Sequence, residues 1–242
     1  MNEILSYTEK QLKNYDGSHD IFHAIQVAFN VCKIAKEEVR LSVFAALLHD
    51  TCDPKYVNKE HRLKETRHFL LKHLRESEIE DVLDAINNTS YSKLKREGVP
   101  KLKTSRSRKI WRNIADADML EAMGVTGVIR TLMYQGFKEK NLGQALTYMN
   151  DELTDCEKYI KNEVAKKEAR DRKNTMEQFL ANMYKKEVKK IAETFMIEGS
   201  QKSSFLKVLQ KHSQDIKSIP WLHSKLEEEI FFFNKTVLFY KF

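Results

Sequence analysis

Residues 144–198 contain neither glycine nor proline, and this uninterrupted run constrains the fold more than any other feature of the sequence. The whole chain carries 7 Gly and 3 Pro in 242 residues, far below the average usage of about 7% and 5%. Turns that need positive φ or a fixed φ are therefore scarce, which favours helices over strands joined by tight hairpins, and an all-α protein is expected. Hydrophobic residues at 41% and charged residues at 32% suit a globular core with a solvated surface.

Local signals place the first helices. A helix is expected over residues 2–15, followed by the turn "DGSHD", in which Ser18 or Asp20 can accept the free amides of the next helix. That helix is expected over 21–39, with Val27, Val31 and Ile34 at helical spacing beneath His23. A third, over 41–52, is apolar nearly all round and belongs in the core. Pro54 cannot donate an amide and would clash with the Asp50 carbonyl, so this helix must stop there. Further helices are expected at 59–75, 77–90, 106–123 and 125–134, with "EKNLGQ" as a turn and a charged helical hairpin over 145–190. Residues 191–242 are read as a separate helical extension, whose aromatic tail "IFFFNKTVLFYKF" docks on the protein's own core or on a partner.

The net charge of +7 is concentrated. Residues 93–112, "KLKREGVPKLKTSRSRKIWR", hold nine basic residues against one glutamate, a net +8 that exceeds the excess of the whole chain. Such a segment can neutralise phosphates of a polyanion or remain a solvated loop. Three cysteines, Cys32, Cys52 and Cys156, form no framework, and "MNEILSYTEK" lacks the apolar run of a signal peptide. A reducing, cytoplasmic setting is the expectation. No stretch approaches the roughly 20 apolar residues that cross a bilayer.

Chemistry gathers at "FAALLHDTCDPKY". Burying adjacent ionisable groups is costly unless something pairs with them, and His49 and Asp50 sit together at the end of an apolar run. Imidazole and carboxylate together suit a borderline or hard divalent cation such as Mn, Fe, Co or Ni better than a structural zinc site, which favours thiolates. His23 offers a second imidazole. Asp118, in "NIADADMLEAMG" among Ile110, Ile114, Ala117 and Leu120, offers a second carboxylate held inside the fold. Asp116 is the competing residue there, with a hydrogen-bonding role as its alternative. His61, Glu65 and His68 also share a helix face, which is more simply a solvated one.

These stretches, "HDIFH", "AALLHDTCDPKY" and "IADADMLEAMGVTGVIRTLMYQG", resemble successive motifs of the HD-domain superfamily of metal-dependent phosphohydrolases, and most resemble its compact bacterial nucleoside-triphosphate pyrophosphohydrolases. The resemblance extends through "NNTSYSK" and "LTDCEKYIKNEVAKKEARDRKNTMEQFL", covering roughly residues 5–190. It implies an HD-domain helical bundle over 1–190, with 191–242 appended, and one divalent metal, Mn, Fe, Co, Ni or Mg, held by His23, His49, Asp50 and Asp118. Asp53 matches an acidic position that orients or deprotonates the attacking water in similar proteins; its alternative is to end the helix before Pro54. Lys55 is expected to serve catalysis beside Asp53, and Lys55, Lys93 and Arg130 are the expected substrate-binding cations, with an acidic neighbour as the alternative partner of Arg130. The implied reaction is hydrolysis of a nucleotide phosphoanhydride, a nucleoside triphosphate giving a monophosphate and pyrophosphate. The implied ligand is a nucleotide or other phosphorylated small molecule. Two alternatives stand beside it: a phosphatase acting on an alarmone or nucleoside monophosphate, and a nucleic-acid-binding module using 93–112 on an inactive scaffold. The sequence departs from its relatives at Met119, where an Arg is frequent, at Glu121 in place of Asp, and in keeping only Gly136 of a glycine pair.

Overall fold

The computed structural model describes the backbone of residues 1–239 and the side chains of residues 1–229. Every regular element among the described residues is helical, as the scarcity of glycine and proline requires. The chain divides into two compact units. The first comprises Met1–Tyr15, His19–Met119 and Tyr159–Ala165; the second comprises Asp16–Ser18, Leu120–Lys158 and the remainder from Lys166.

The first unit is built from α1 (Asn2–Leu12), α2 (Ile21–Ile34), α3 (Val39–Leu48), α4 (Lys59–Leu70), α5 (Glu76–Asn88), α6 (Tyr91–Glu97) and the greater part of α7 (Ser105–Glu121). In α1, Ile4, Thr8 and Leu12 recur every four residues and are buried. Asp20 caps α2 by accepting the amides of Phe22 at 2.9 Å and His23 at 3.3 Å. Beneath it Val27, Val31 and Ile34 form the buried stripe that the spacing predicts. Burial of each such side chain contributes about 1.5–3 kcal/mol. The central α3 packs on both α2 and α5.

Two boundaries differ from expectation. The helix expected over 21–39 stops at Ile34, because Asn162 donates its side-chain amide to the Ile34 carbonyl at 2.8 Å and the chain turns through Glu38 at φ 53°. The third helix tightens to a 3-10 turn over His49–Cys52, with the Thr51 hydroxyl donating to the Leu48 carbonyl at 2.7 Å. The short α6 overlaps the start of the basic segment, where helical periodicity is weak; it starts at a Ser90 cap and stops at Gly98 with φ 79°.

The second unit contains α8 (Gly124–Phe137), α9 (Leu142–Tyr148), most of α10 (Glu163–Ala181), α11 (Lys186–Ser200), α12 (Phe205–Lys211), α13 (Ser213–Lys217) and α14 (Pro220–Phe239). Helices α8 and α11 cross with their backbones in contact: a Cβ at Gly136 would run into the Met196 carbonyl, and one at Gly199 into the Met133 carbonyl. The boundary expected at residue 190 falls inside α11, and Gly199, read from sequence as part of a polar stretch, is buried at this crossing. Glu229 of α14 caps α8, its carboxylate accepting the amides of Val125 and Thr126 and the Thr126 hydroxyl, each at 2.8 Å. Side chains of the aromatic run 230–242 lie outside the described residues.

The hairpin expected over 145–190 is replaced by α9, a π-helical turn at Met149–Leu153, a 3-10 turn at Cys156–Tyr159, and then α10. The break before α10 has an identifiable cause. Asp116 accepts the amides of Lys161 at 3.2 Å and Asn162 at 2.8 Å, groups that a continuous helix would have used internally. No helix among the described residues is long and apolar enough to cross a membrane.

Candidate metal centre

The Asp20 cap fixes His23 in the first turn of α2, where it is 2% exposed. The apolar α3 delivers His49 and Asp50 to its C-terminal 3-10 turn, and α7 supplies Asp118. These elements bring four side chains to one point. His23 Nε2 lies 3.3 Å from an Asp50 oxygen and 3.3 Å from Asp118 Oδ1. His49 Nε2 lies 3.2 Å from Asp50 Oδ1 and 3.8 Å from Asp118 Oδ1. The ligand atoms of His23, His49 and Asp118 all fall within 4.8 Å of one another.

Tautomer and burial make this group suited to a cation. His49 Nδ1 stands 2.7 Å from the Ala46 carbonyl, which can only accept, so Nδ1 carries the proton and Nε2 presents a lone pair toward the carboxylates. That Nε2 is buried and has no hydrogen-bond partner, and the same holds for Asp50 Oδ2. Two imidazole nitrogens and two carboxylates are the donor set of a borderline divalent ion, and the orphaned atoms are what such an ion would satisfy. The residues therefore fit the group that the sequence motifs imply. Both imidazoles are 3% exposed in their side chains while Asp118 is 26% exposed, so the cluster opens toward solvent on the Asp118 side.

The electrostatics match this arrangement. Burial pushes the Asp50 carboxyl up, but the imidazoles of His49 and His23 outweigh it and hold it well below the usual carboxylate range. Asp118 is treated likewise: burial raises it, and the hydrogen bond from His23 and the adjoining His49 imidazole bring it below its ordinary value. Asp116 behaves in the opposite sense, raised by burial against the pull of its amide partners and of Arg112. It is fully buried and serves as a hydrogen-bond anchor two residues from Asp118.

The remaining site residues of the sequence reading are more dispersed. Asp53 ends the 3-10 turn and starts the next, its Oδ1 accepting the Lys55 amide at 2.8 Å and its Oδ2 lying 3.5 Å from the Lys55 ammonium. Lys93 lines an open pocket with Asn88, Gly98 and Lys101. Arg130 is 9% exposed; its Nε donates to the Ser18 carbonyl at 2.8 Å and its Nη1 to the Glu121 carbonyl at 3.5 Å. Its partners are thus main-chain oxygens of the second unit rather than an acidic side chain. His61 is exposed, 3.8 Å from Glu65, as a solvated face predicts. Met119 is 2% exposed and walls, with Tyr91, Leu94 and Trp111, a cavity of about 10 Å³ beside Asp118, room for about one water.

Three neighbours escaped the sequence reading. His19, the first residue of "HDIFH", has its ring 6.3 Å from that of His23 and its Nδ1 3.4 Å from the Tyr56 hydroxyl. Tyr56 in turn stacks on Tyr15 at 4.1 Å. Lys59 donates to the Asn87 carbonyl at 3.1 Å, and burial pushes its pKa below the usual lysine value. For His19 the signal was present in the motif itself. For Tyr56 and Lys59 only the folded chain supplies it.

No family model matches this chain, and no curated protein sequence matches it. Solved structures do. Bacillus subtilis YpgQ in complex with ADP superposes with a TM-score of 0.61 at 22% identity, over 76% of this chain and 96% of that one. A Lactobacillus plantarum protein gives 0.64 at 21% identity, over 76% and 94%. An HD-superfamily hydrolase from Bacillus thuringiensis gives 0.58 at 24% identity, over 76% and 94%. The fold of this chain is accordingly the all-α HD-domain fold, as its motifs imply.

Proposed function

We propose that this protein is a metal-dependent phosphohydrolase that cleaves a phosphoanhydride of a nucleotide, converting a nucleoside triphosphate to a monophosphate and pyrophosphate. The observation that carries the reading is the meeting of His23, His49, Asp50 and Asp118, with a buried imidazole lone pair and a buried carboxylate oxygen that no protein group satisfies. These four residues would hold one divalent ion. When bound, it supplies Lewis acidity toward water and toward a phosphoryl oxygen.

The chain's own groups do the rest. Ala46 keeps His49 in the tautomer that leaves Nε2 free. Asp53, on the turn that follows Asp50, orients the attacking water and takes its proton at a carboxylate oxygen. Lys55, about half exposed beside Asp53, swings to the polyphosphate and neutralises its charge, with Lys93 as a second cation. A nucleotide is favoured as ligand because YpgQ, whose fold this chain shares, was solved in complex with ADP. The alternative, a nucleic-acid-binding module, draws on residues 93–112; within that segment Arg96, Lys103, Arg106 and Lys109 are drawn up against Glu97, Glu80, Asp81 and Glu37, which leaves fewer cations for an extended partner.

The test is to assay the purified protein with manganese against a panel of nucleoside triphosphates, diphosphates, monophosphates and alarmones. Metal-dependent release of pyrophosphate is expected. Absence of any metal-dependent phosphate or pyrophosphate release across the panel overturns the reading.

A further inference from the structure

A second basic site lies in the first unit, on a different flank of α7 from the metal centre. Arg108 and Arg112 are one turn apart, and Asp118 is separated around the helix by about 120° from Arg112 and about 80° from Arg108. With Lys36 and Lys109 these arginines line a pocket of about 370 Å³. Its walls are fixed. The Asn113 amide donates to the Glu37 carbonyl at 3.0 Å and to the Ser42 hydroxyl at 2.9 Å, and the Asn162 amide is bound to Ile34.

The charges of this pocket are unbalanced. Glu37 is the one acid lining it, and it pairs with Lys109. Arg112 is held in place with its guanidinium 4.5 Å over the Trp111 ring and 3.7 Å from Asp116, yet its Nη1 is buried with no hydrogen-bond partner. Lys36 and Arg108 have no acidic partner among the described residues. Guanidinium groups match phosphate oxygens in a two-pronged geometry, and an ammonium adds point charge. A volume in the range of small-molecule sites, roughly 300–1,000 Å³, favours a compact ligand.

We infer that the Lys36–Arg108–Arg112 pocket binds a compact oligophosphate anion at a site separate from the His–Asp centre. A long nucleic acid is disfavoured because the neighbouring cations Arg96, Lys103 and Arg106 already face carboxylates. The inference does not depend on the hydrolase reading, since it requires neither metal nor turnover.

The experiment is calorimetric titration of inorganic tripolyphosphate into the full chain with EDTA present, repeated with Asp50→Ala and with the double variant Lys36→Gln/Arg108→Gln, whose side chains are at the surface. One equivalent should bind to the unaltered and Asp50→Ala proteins alike, and the double substitution should weaken it about tenfold or more. ATP in place of tripolyphosphate should compete for the same site, and the tighter of the two identifies the source of the phosphate groups. Absence of binding, equal binding to the double variant, or loss of binding in Asp50→Ala overturns the inference. So does a single-stranded RNA that binds in a manner sensitive to the double substitution but is not displaced by tripolyphosphate, which would make the patch a nucleic-acid surface.

Discussion

His23 Nε2 and Asp118 Oδ1 meet at 3.3 Å, one from the first turn of α2 and the other from the end of α7. The polar links that make this possible are buried or partly buried. Asn30 of α2 donates to the Ala117 carbonyl at 3.3 Å, one residue from Asp118, and Asn113 of α7 reaches Ser42 of α3. The three helices that carry the cluster are thus tied to one another by directional bonds as well as by apolar packing, and a directional bond fixes the rotation of a helix about its axis where apolar contact alone does not.

Removing a ligand should separate metal content from turnover. Asp50→Ala is expected to lose bound metal and activity together, whereas Asp53→Asn should keep the metal and lose at least about 100-fold in kcat, the low end of a general-base contribution. Elemental analysis beside steady-state assays reads both quantities. Loss of metal in both variants would mean that Asp53 belongs to the ligand set.

Asp116 makes a stability prediction rather than a catalytic one. Asp116→Ala leaves the partly buried amides of Lys161 and Asn162 without their acceptor, at a cost of about 1 kcal/mol, the low end for an unsatisfied donor. Urea unfolding should show this as a lower midpoint with an unchanged slope. An unaltered midpoint would mean that the segment before α10 is held by other contacts.

The α8–α11 crossing should be intolerant of any side chain. Gly199→Ala places a methyl group into the Met133 carbonyl, a backbone atom that cannot rotate away, and overpacking of this kind costs about 1–3 kcal/mol or more. Thermal unfolding of Gly199→Ala against Ser200→Ala, an exposed neighbour, isolates the steric effect. Equal midpoints would contradict the close crossing.

Acid should weaken the fold through Glu78. Its carboxylate accepts the Arg75 side chain and amide, at 3.0 Å for the amide, and the Arg40 guanidinium at 2.7 Å; with Arg75 as the main cause, its pKa falls from an ordinary 4.5 to about 2. A carboxyl depressed in the folded state binds fewer protons than in the unfolded chain. Its contribution is complete above about pH 4.5 and is lost as pH falls toward 2. Glu78→Gln should be less stable than the unaltered protein at pH 6, and the gap should narrow between pH 4.5 and 2.5 in thermal melts. A gap independent of pH would assign the effect to packing.

What could be read from the sequence was what acts over a few residues. The Asp20 cap, the stripe of Val27, Val31 and Ile34, and the block to helix at Pro54 each operate within about one turn, and each placed its feature. Through them the all-α class and the placement of His49 and Asp50 at a helix mouth were legible. Tertiary structure decided the rest. Nothing local ends α2 at Ile34: "IAKEEVR" has no glycine or proline, and the stop is made by Asn162, far along the chain. The apolar repeat through Met149, Leu153, Cys156 and Ile160, all buried, reads as continuous helix, yet the backbone amides that follow are claimed by Asp116. Arg130 reads as a phosphate-binding cation or the partner of an acidic side chain, whereas carbonyls from two other segments take its guanidinium. A hydrogen bond between residues remote in sequence forms only once the core has brought them within about 3 Å, so its donor and acceptor carry no periodic or capping signature beforehand.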